Sequence, residues 1–571
     1  MGAFTKRVGR WARAYPARLG TVASALALVF ACVAQTPSLI PRGGIVQGVL
    51  TGFAALSGYA IGAVLGWLVR SLDVRRKLAP VRRPVRRVLV VLAPVALVVS
   101  VVAGAAWDQD VRAALGMPAT SSWGYVLVPF LAVVVAVPLL ALARWLRNVT
   151  RRLARLVGRV VPATVARAVA VVVVGALAWG VFSGVIWDGV LSALNASFAA
   201  ANASYDPGVD RPTASERSGS PSSLESWDDL GREGRRFVTG GPTTTQLASF
   251  EGALPSRTGV DASAVREPIR VYAGMDDDVA DTAAQVVAEL DRTRAWDRQY
   301  LLVVTTTGSG WVDWSMADSF ELLHGGDTAI AAMQYSNLPS WLSFIGDREH
   351  PADAGRALFD AVFARWSQLP ADHRPKLQVA GISLGSFGMQ AAFSGPQDVA
   401  SRTDGALFVG TPSFTPTWRE VTDGRDAGTP EVAPVVDGGR QVRFLTGPAG
   451  SDGDPLALAA AWPGPRVVYA QHASDGVTWW SPDTIWDRPD WLAEPRGRGV
   501  VDATRWFPVV TFEQLTSDLF FAAGSDVPMG AGHQFELEYA QGFAALDAPE
   551  GWTADDTAFL QRVVQQREPR F

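Results

Sequence analysis

Residues 375–393 read PKLQVAGISLGSFGMQAAF, and this stretch decides the reading of the C-terminal half. An apolar run, Leu377 to Ala380, meets Gly381. Ser383 follows two residues later, then Gly385, and a helix-compatible segment starts at once. That order suits a sharp strand–turn–helix junction whose serine hydroxyl stands clear of a sheet edge, with small residues on either side letting strand and helix pass closely. A Gly-x-Ser-x-Gly pentad occurs often by chance, and the plain alternative is a glycine-rich turn with an idle serine. The strand before it and the helix after it give the pattern its weight.

Around this junction, strand candidates alternate with helical segments. The candidates are Ile269–Tyr272, Leu301–Thr306, Thr328–Tyr335, Leu377–Gly381, Gly405–Val409, Val442–Leu445 and Arg466–Gln471. Short β-rich runs separated by helices predict a mostly parallel, doubly wound sheet, whose sites form beyond the carboxyl ends of its strands. The pentad lies at such an end.

A serine hydroxyl needs a base within hydrogen-bond reach, and the base an orienting acid. On this kind of junction the acid follows the serine in the chain and the histidine comes last. Of five histidines, His324, His350 and His373 precede Ser383. His533, in the glycine-rich VPMGAGHQFE, is the candidate base, with His472 as the alternative. Asp475, just past a strand end, is the candidate acid. Asp452 and Asp454 are alternatives, and Asp475-Gly476 can also be a plain turn. For a developing oxyanion, the backbone N–H of Leu384 and the loop at Gly308 and Ser309 are candidate donors, the loop reading competing with an ordinary tight turn. The chemistry requires neither metal nor organic cofactor.

The N-terminal half is physically different. Up to Trp187 there are 22 Lys/Arg against three acids, whereas the remainder holds 29 basic and 52 acidic residues. The basic residues lie between long uncharged runs, which points to a membrane and away from nucleic acid. Five spans are expected, over 19–41, 45–69, 88–107, 125–143 and 168–187, each near the ~20 apolar residues a crossing helix needs. Trp67, Trp107, Trp123, Trp145 and Trp187 lie at run ends, as an interfacial belt would place them. The loops 70–87 and 144–167 are strongly basic and the other two nearly free of positive charge, so the N-terminus is expected in the cytoplasm and everything after Trp187 outside the cell membrane. The spans carry no internal charge, which disfavours a transporter. Cys32, the single cysteine, excludes an intrachain disulfide. Residues 188–224, rich in Ala, Ser, Asn and Pro, are expected to be a linker, and 225–571 one catalytic domain. Asn195 and Asn202 match a glycosylation sequon, relevant only in a eukaryotic secretory route. The Trp-rich stretch Val477–Trp506 is expected to line an apolar groove, lie on the bilayer or pack as a cap.

The segments TTTGSGWVD (305–313), GDTAIAAMQYSNLPSW (326–341), RPKLQVAGISLGSFG (374–388), YAQHASDGVTWWSPD (469–483), PDWLAEPRG (489–497) and RWFPVVTFEQLTSDL (505–519) together resemble a family of bacterial, chiefly actinobacterial, membrane-anchored α/β-hydrolases. The resemblance covers nearly the whole chain. It implies a multi-span helical membrane domain followed by an α/β-hydrolase domain, with Ser383, Asp475 and His533 at the matching positions. A Gly-His-Gly-His-like motif is expected near the end, where this chain reads Gly530-Ala531-Gly532-His533. The resemblance supplies no substrate. The expected function is a serine hydrolase, esterase-, lipase- or acyltransferase-like, acting outside the cytoplasm, and its place beside the bilayer alone points to lipid or cell-envelope esters. The alternatives are a non-catalytic envelope module on the same scaffold and a transport component with an accessory domain.

Overall fold

The computed structural model describes residues 20–71, 75–256, 265–346, 348–447, 461–524 and 526–567. They form two compact units, and the division does not follow chain order. The first unit takes residues up to 189 together with 482–492 and 499–518, and the second takes the rest.

The first unit is helical: α1 (Thr21–Val33), α2 (Gly44–Ser71), α3 (Arg75–Ala114), α4 (Val128–Val157) and α5 (Ala163–Gly180). Four stretches are long and apolar enough to cross a membrane: Gly44–Leu68, Val91–Ala114, Ser122–Val157 and Ala163–Gly184. Large apolar side chains stand exposed along them, among them Val91, Val98, Val102, Val171 and Val172, as they would toward lipid. Trp67, Trp123 and Trp145 are also exposed.

The expected first span, 19–41, is corrected. Its helix has 13 residues, about 20 Å at ~1.5 Å per residue, short of a ~30 Å hydrocarbon core. Beyond Val33 the chain turns into a buried polar cluster. Ser38 donates to Asp518, the Leu39 N–H reaches the same carboxylate at 3.1 Å, and the Gln514 amide reaches the Thr36 carbonyl at 2.9 Å. Gln35, Ser38 and Arg42 are all buried there. Asp518 and Gln514, the partners of Ser38, Leu39 and Thr36, lie on Val510–Phe521, a helix almost five hundred residues downstream, whereas Gln35 pairs with Thr51 and the Arg42 N–H with Asp108.

The second unit is built on seven parallel strands: β1 (Ile269–Ala273), β2 (Tyr300–Thr305), β3 (Thr328–Met333), β4 (Lys376–Ile382), β5 (Gly405–Val409), β6 (Val442–Leu445) and β7 (Arg466–Ala470). Their order across the sheet is β1-β3-β2-β4-β5-β7-β6. Every predicted strand is present, because a parallel sheet covered on both faces is apolar at successive positions and reads as plain apolar runs. Leu302, Val304, Ile330, Ala332, Ala380, Ile382, Leu407 and Val409 share one buried core with Phe320, Tyr539 and Phe543. Helices Trp314–Leu323 and Glu538–Asp547 cover that face, while Val279–Thr293, Glu349–Ser367 and Leu384–Gln390 pack on the other. The result is the doubly wound α/β sheet with β4 at its centre.

Two expected boundaries change. The 188–224 stretch is structured: a helix, α6 (Asp188–Ala203), is followed by Asp206 paired to Arg232 and Arg236, both at 2.6 Å, and by a bridge between Arg217 and Arg270. Ion pairs and backbone pairing hold a segment too poor in apolar residues to form a core. The Asn202 side chain is engaged with Gln334, Asn337 and the Arg232 N–H. The expected continuous domain 225–571 is interrupted, since 482–492 and 499–518 fold with the first unit.

Candidate active site

Ser383 ends β4 and precedes the helix Leu384–Gln390, with φ 56° and ψ −125°. A positive φ is strained for a residue with a Cβ and survives only where neighbours hold it. Here the Ser383 N–H donates to the Val409 carbonyl at 2.9 Å, which ties the turn to the end of β5. The flanking glycines are required by contact. A Cβ on Gly381 would meet the Gly385 carbonyl at 2.4 Å, and one on Gly385 would meet the Thr305 carbonyl at 2.2 Å. The helix thus starts against the carboxyl end of β2. Leu384 opens it, and a first-turn amide has no acceptor within its own helix.

The loop after β2 is a closed turn. The Gly310 N–H reaches the Thr307 carbonyl at 2.9 Å, the Thr307 N–H reaches the Trp311 carbonyl at 3.1 Å, and the Tyr272 hydroxyl caps the Gly310 carbonyl at 2.8 Å. The Gly308 N–H donates to Ser340 Oγ at 3.3 Å, and Ser309 is half-buried.

Asp475 follows β7 and caps the short helix Gly476–Trp479, accepting the Val477 N–H at 2.8 Å on one oxygen. Its other oxygen accepts the Thr478 hydroxyl at 2.9 Å and lies 2.7 Å from Nδ1 of His533. With two donors already fixed, the fully buried carboxylate is oriented before the imidazole arrives. His533 is buried too, and its Nε2 has no hydrogen-bond partner among the described residues. The ring lies over Gly410, where a Cβ would meet its Cε1 at 2.4 Å. Gly410 follows Val409, the residue that anchors Ser383, so serine and histidine are brought to the same strand end.

His472, the alternative base, occupies a different place. Its Nδ1 lies 2.9 Å from the Gly532 carbonyl and its Nε2 2.9 Å from Glu538 Oε1. Both nitrogens are taken. The ring stacks on Phe535 at 4.1 Å, and Phe535 presents an edge to His533 at 5.5 Å. Burial opposes charge on His472, but the Glu538 carboxylate and its hydrogen bond outweigh it and raise the pKa above the ordinary value. Residue type alone gives no sign of this arrangement. Of the other histidines, His324 is buried and stacked on Tyr300 at 3.7 Å, and burial lowers its pKa to about 3. Asp452 and Asp454 lie outside the described residues.

Aromatic contacts run outward from the serine helix, from Phe387 to Phe414 at 5.1 Å, on to Phe344 at 4.8 Å and to Trp480 at 5.3 Å. Trp479, Trp480 and Trp491 are buried and act as packing, whereas Trp486 is 60% exposed. Sequence reading passed over Trp341 and Phe520, which meet at 5.5 Å while both remain exposed. Trp341 adjoins Ser340, the partner of Gly308, and Phe520 lies two residues before Ala522, whose carbonyl accepts the His533 N–H at 3.0 Å. Among the described residues no cluster of His, Cys, Asp and Glu could hold a metal ion.

A profile of the alpha/beta-hydrolase family matches residues 269–560, and one of that family's N-terminus matches residues 35–242. No curated protein matches. Two solved structures of an acetylxylan esterase, one at 0.90 Å resolution and one an iodinated complex, align at 16% identity. Each alignment covers 32% of this chain and 85% of the other, with a TM-score of 0.21.

Proposed function

Since the chain belongs to the alpha/beta-hydrolase family, we propose that it is a membrane-anchored serine hydrolase of ester-type bonds, with Ser383, His533 and Asp475 as its triad. The observation that carries this reading is the asymmetry of His533: Nδ1 is held by Asp475 at 2.7 Å, and Nε2 is buried without a protein partner. An imidazole held in that way has its basic nitrogen available for a hydroxyl proton. The strained turn at Ser383 supports a nucleophile elbow.

In the mechanism, Ser383 Oγ attacks the ester carbonyl carbon and its proton passes to His533 Nε2. Asp475 stabilises the imidazolium that results. The Leu384 N–H stabilises the oxyanion of the tetrahedral intermediate, and on the turn after β2 the second donor falls to Ser309, since the Gly308 N–H is given to Ser340 Oγ. Collapse of the intermediate breaks the ester bond, and His533 returns the proton to the departing alcohol. Water, or another acceptor hydroxyl, then attacks the acyl-serine while His533 takes its proton. Collapse of this second intermediate breaks the Ser383 acyl bond, His533 returns the proton to Ser383 Oγ, and the acid or new ester leaves. A fluorophosphonate probe tests the nucleophile: the full chain should label in membranes and Ser383→Ala should not. Equal labelling of the two proteins would refute it.

Location follows from the helices and loop charges. The basic segment 70–87 lies between the stretches Gly44–Leu68 and Val91–Ala114, and the basic segment 144–167 covers the end of Ser122–Val157 and the start of Ala163–Gly184, so both are largely helical ends and not loops. With those segments in the cytoplasm, the chain beyond residue 187 emerges on the opposite side of the plasma membrane, whether or not α1 crosses. The bilayer is then a standing partner, and lipid or envelope esters are the substrates within reach. Protease added to right-side-out vesicles should digest the sheet domain, and full protection would reverse the orientation.

A further inference from the structure

Three hydrogen bonds join the segment 472–475 to the pair Gly532–His533. The Gly532 N–H donates to Ser474 Oγ at 3.0 Å, its carbonyl faces His472 Nδ1 at 2.9 Å, and His533 Nδ1 meets Asp475 at 2.7 Å. Both backbone groups of Gly532 are therefore fixed by the segment that carries the acid. His472 also acts through its own carbonyl, which accepts the Asp475 N–H at 3.1 Å and the Trp479 indole N–H at 2.9 Å. One residue thus anchors the acid turn through its backbone and the base loop through its side chain.

The proton count at His472 follows from the acceptors. A carbonyl oxygen can only accept, so Nδ1 carries a proton. Nε2 faces a carboxylate oxygen 2.9 Å away, in a site where His472 is 3% and Glu538 0% exposed. Both contacts persist when the ring is an imidazolium donating at both nitrogens. From these distances we infer that His472, as an imidazolium held between Glu538 and the Gly532 carbonyl, is a positioning residue for His533, and that losing its second proton at high pH releases the base loop. This inference rests on the triad reading above.

The groups that face His472 are Glu538 on the helix Glu538–Asp547, Asp475 in the acid turn and Glu536 on the approach to that helix, with Asp313 beyond Glu536. All are carboxylates. Burial pushes Glu536 up to about 7, so it gains charge above neutrality and helps His472 keep its proton. The direction at His472 itself is upward. A raised histidine pKa means the holding contact is complete below the ordinary value and is lost as pH rises through the folded value.

The test measures fluorophosphonate labelling rates of the full chain in detergent, from about pH 6 to 10. Wild type should lose rate at the alkaline end. His472→Ala should label at least about tenfold more slowly at neutral pH, the scale of a misplaced catalytic group. Glu538→Gln replaces the carboxylate with an amide that can donate to a neutral Nε2. It should stay within about threefold of wild type at neutral pH and lose the alkaline fall. A purely structural role would move the rate equally at all pH values. Wild-type labelling by His472→Ala, or the same alkaline fall in wild type and Glu538→Gln, overturns the inference. Should His472→Ala fail to fold, Glu538→Gln decides alone. Labelling that persists in Ser383→Ala removes the triad and the inference together, whereas silence there with unchanged His472→Ala removes only the inference.

Discussion

The two histidines at the carboxyl end of the sheet are near copies in environment and opposites in what they can do. His533 and His472 are both buried, both lie under 3 Å from a buried carboxylate, and both touch Phe535. They differ at one atom. The second nitrogen of His472 is spent on the Gly532 carbonyl, and that of His533 has no partner. A buried polar atom left unpaired costs roughly 1–3 kcal/mol, and such atoms call for a reason. In the proposed triad the reason at His533 is a proton to be taken from Ser383, and the two rings are told apart by which hydrogen bond is missing.

That comparison breaks most sharply at His533. Replacing it with alanine should lower the labelling rate by at least about 10³-fold, and a loss no larger than that of His472→Ala would erase the distinction between the two rings. Asp475→Asn keeps the shape but offers an amide where His533 Nδ1 needs an acceptor. Its rate should fall by about 10²- to 10⁴-fold with little change in melting temperature, and a near-wild-type rate would remove Asp475 from the mechanism. The smallest effect is expected at His324, buried with neither nitrogen hydrogen-bonded among the described residues. None of them gives it a carboxylate partner, so His324→Phe should leave labelling unchanged within about twofold. Its signature is in stability. Burial holds the folded pKa near about 3, so its neutral form contributes fully above about 6.5 and progressively less as pH falls toward the folded value. Urea melts should show a variant more stable than wild type by about 2 kcal/mol at pH 5 relative to its standing at pH 8, and parallel pH curves would contradict this.

What was legible in the sequence follows from how local each signal is. The seven strands were readable because buried parallel strands are short apolar runs, and Ser383 because two glycines and a strand flank it within five residues. Asp475 and His533 were readable as an order along the chain, and the structure brings them within 2.7 Å. The partners of His472 were not, since a residue type does not say whether its second nitrogen is taken. The end of the first apolar run at Val33 was foreshadowed by Gln35, Thr36 and Pro37, but the partners of Thr36 and Ser38 come from residues 514 and 518. The 188–224 stretch was misread because composition measures apolar burial and misses ion pairs such as Asp206 with Arg232 and Arg236.

The segment 499–518 has a practical consequence for anyone who would separate the halves of this molecule. It lies inside the stretch matched by the hydrolase family profile, yet it is compact with the N-terminal helices. Cutting the chain near residue 188 would remove Ser38 from Asp518 and Ser57 from Glu513, two carboxylates whose pKa values burial already raises. The severed sheet domain would carry Val510 and these acids on a helix stripped of their N-terminal partners, about 15 to 23 residues before His533. The two units are consecutive in name only: no single scissile bond separates them.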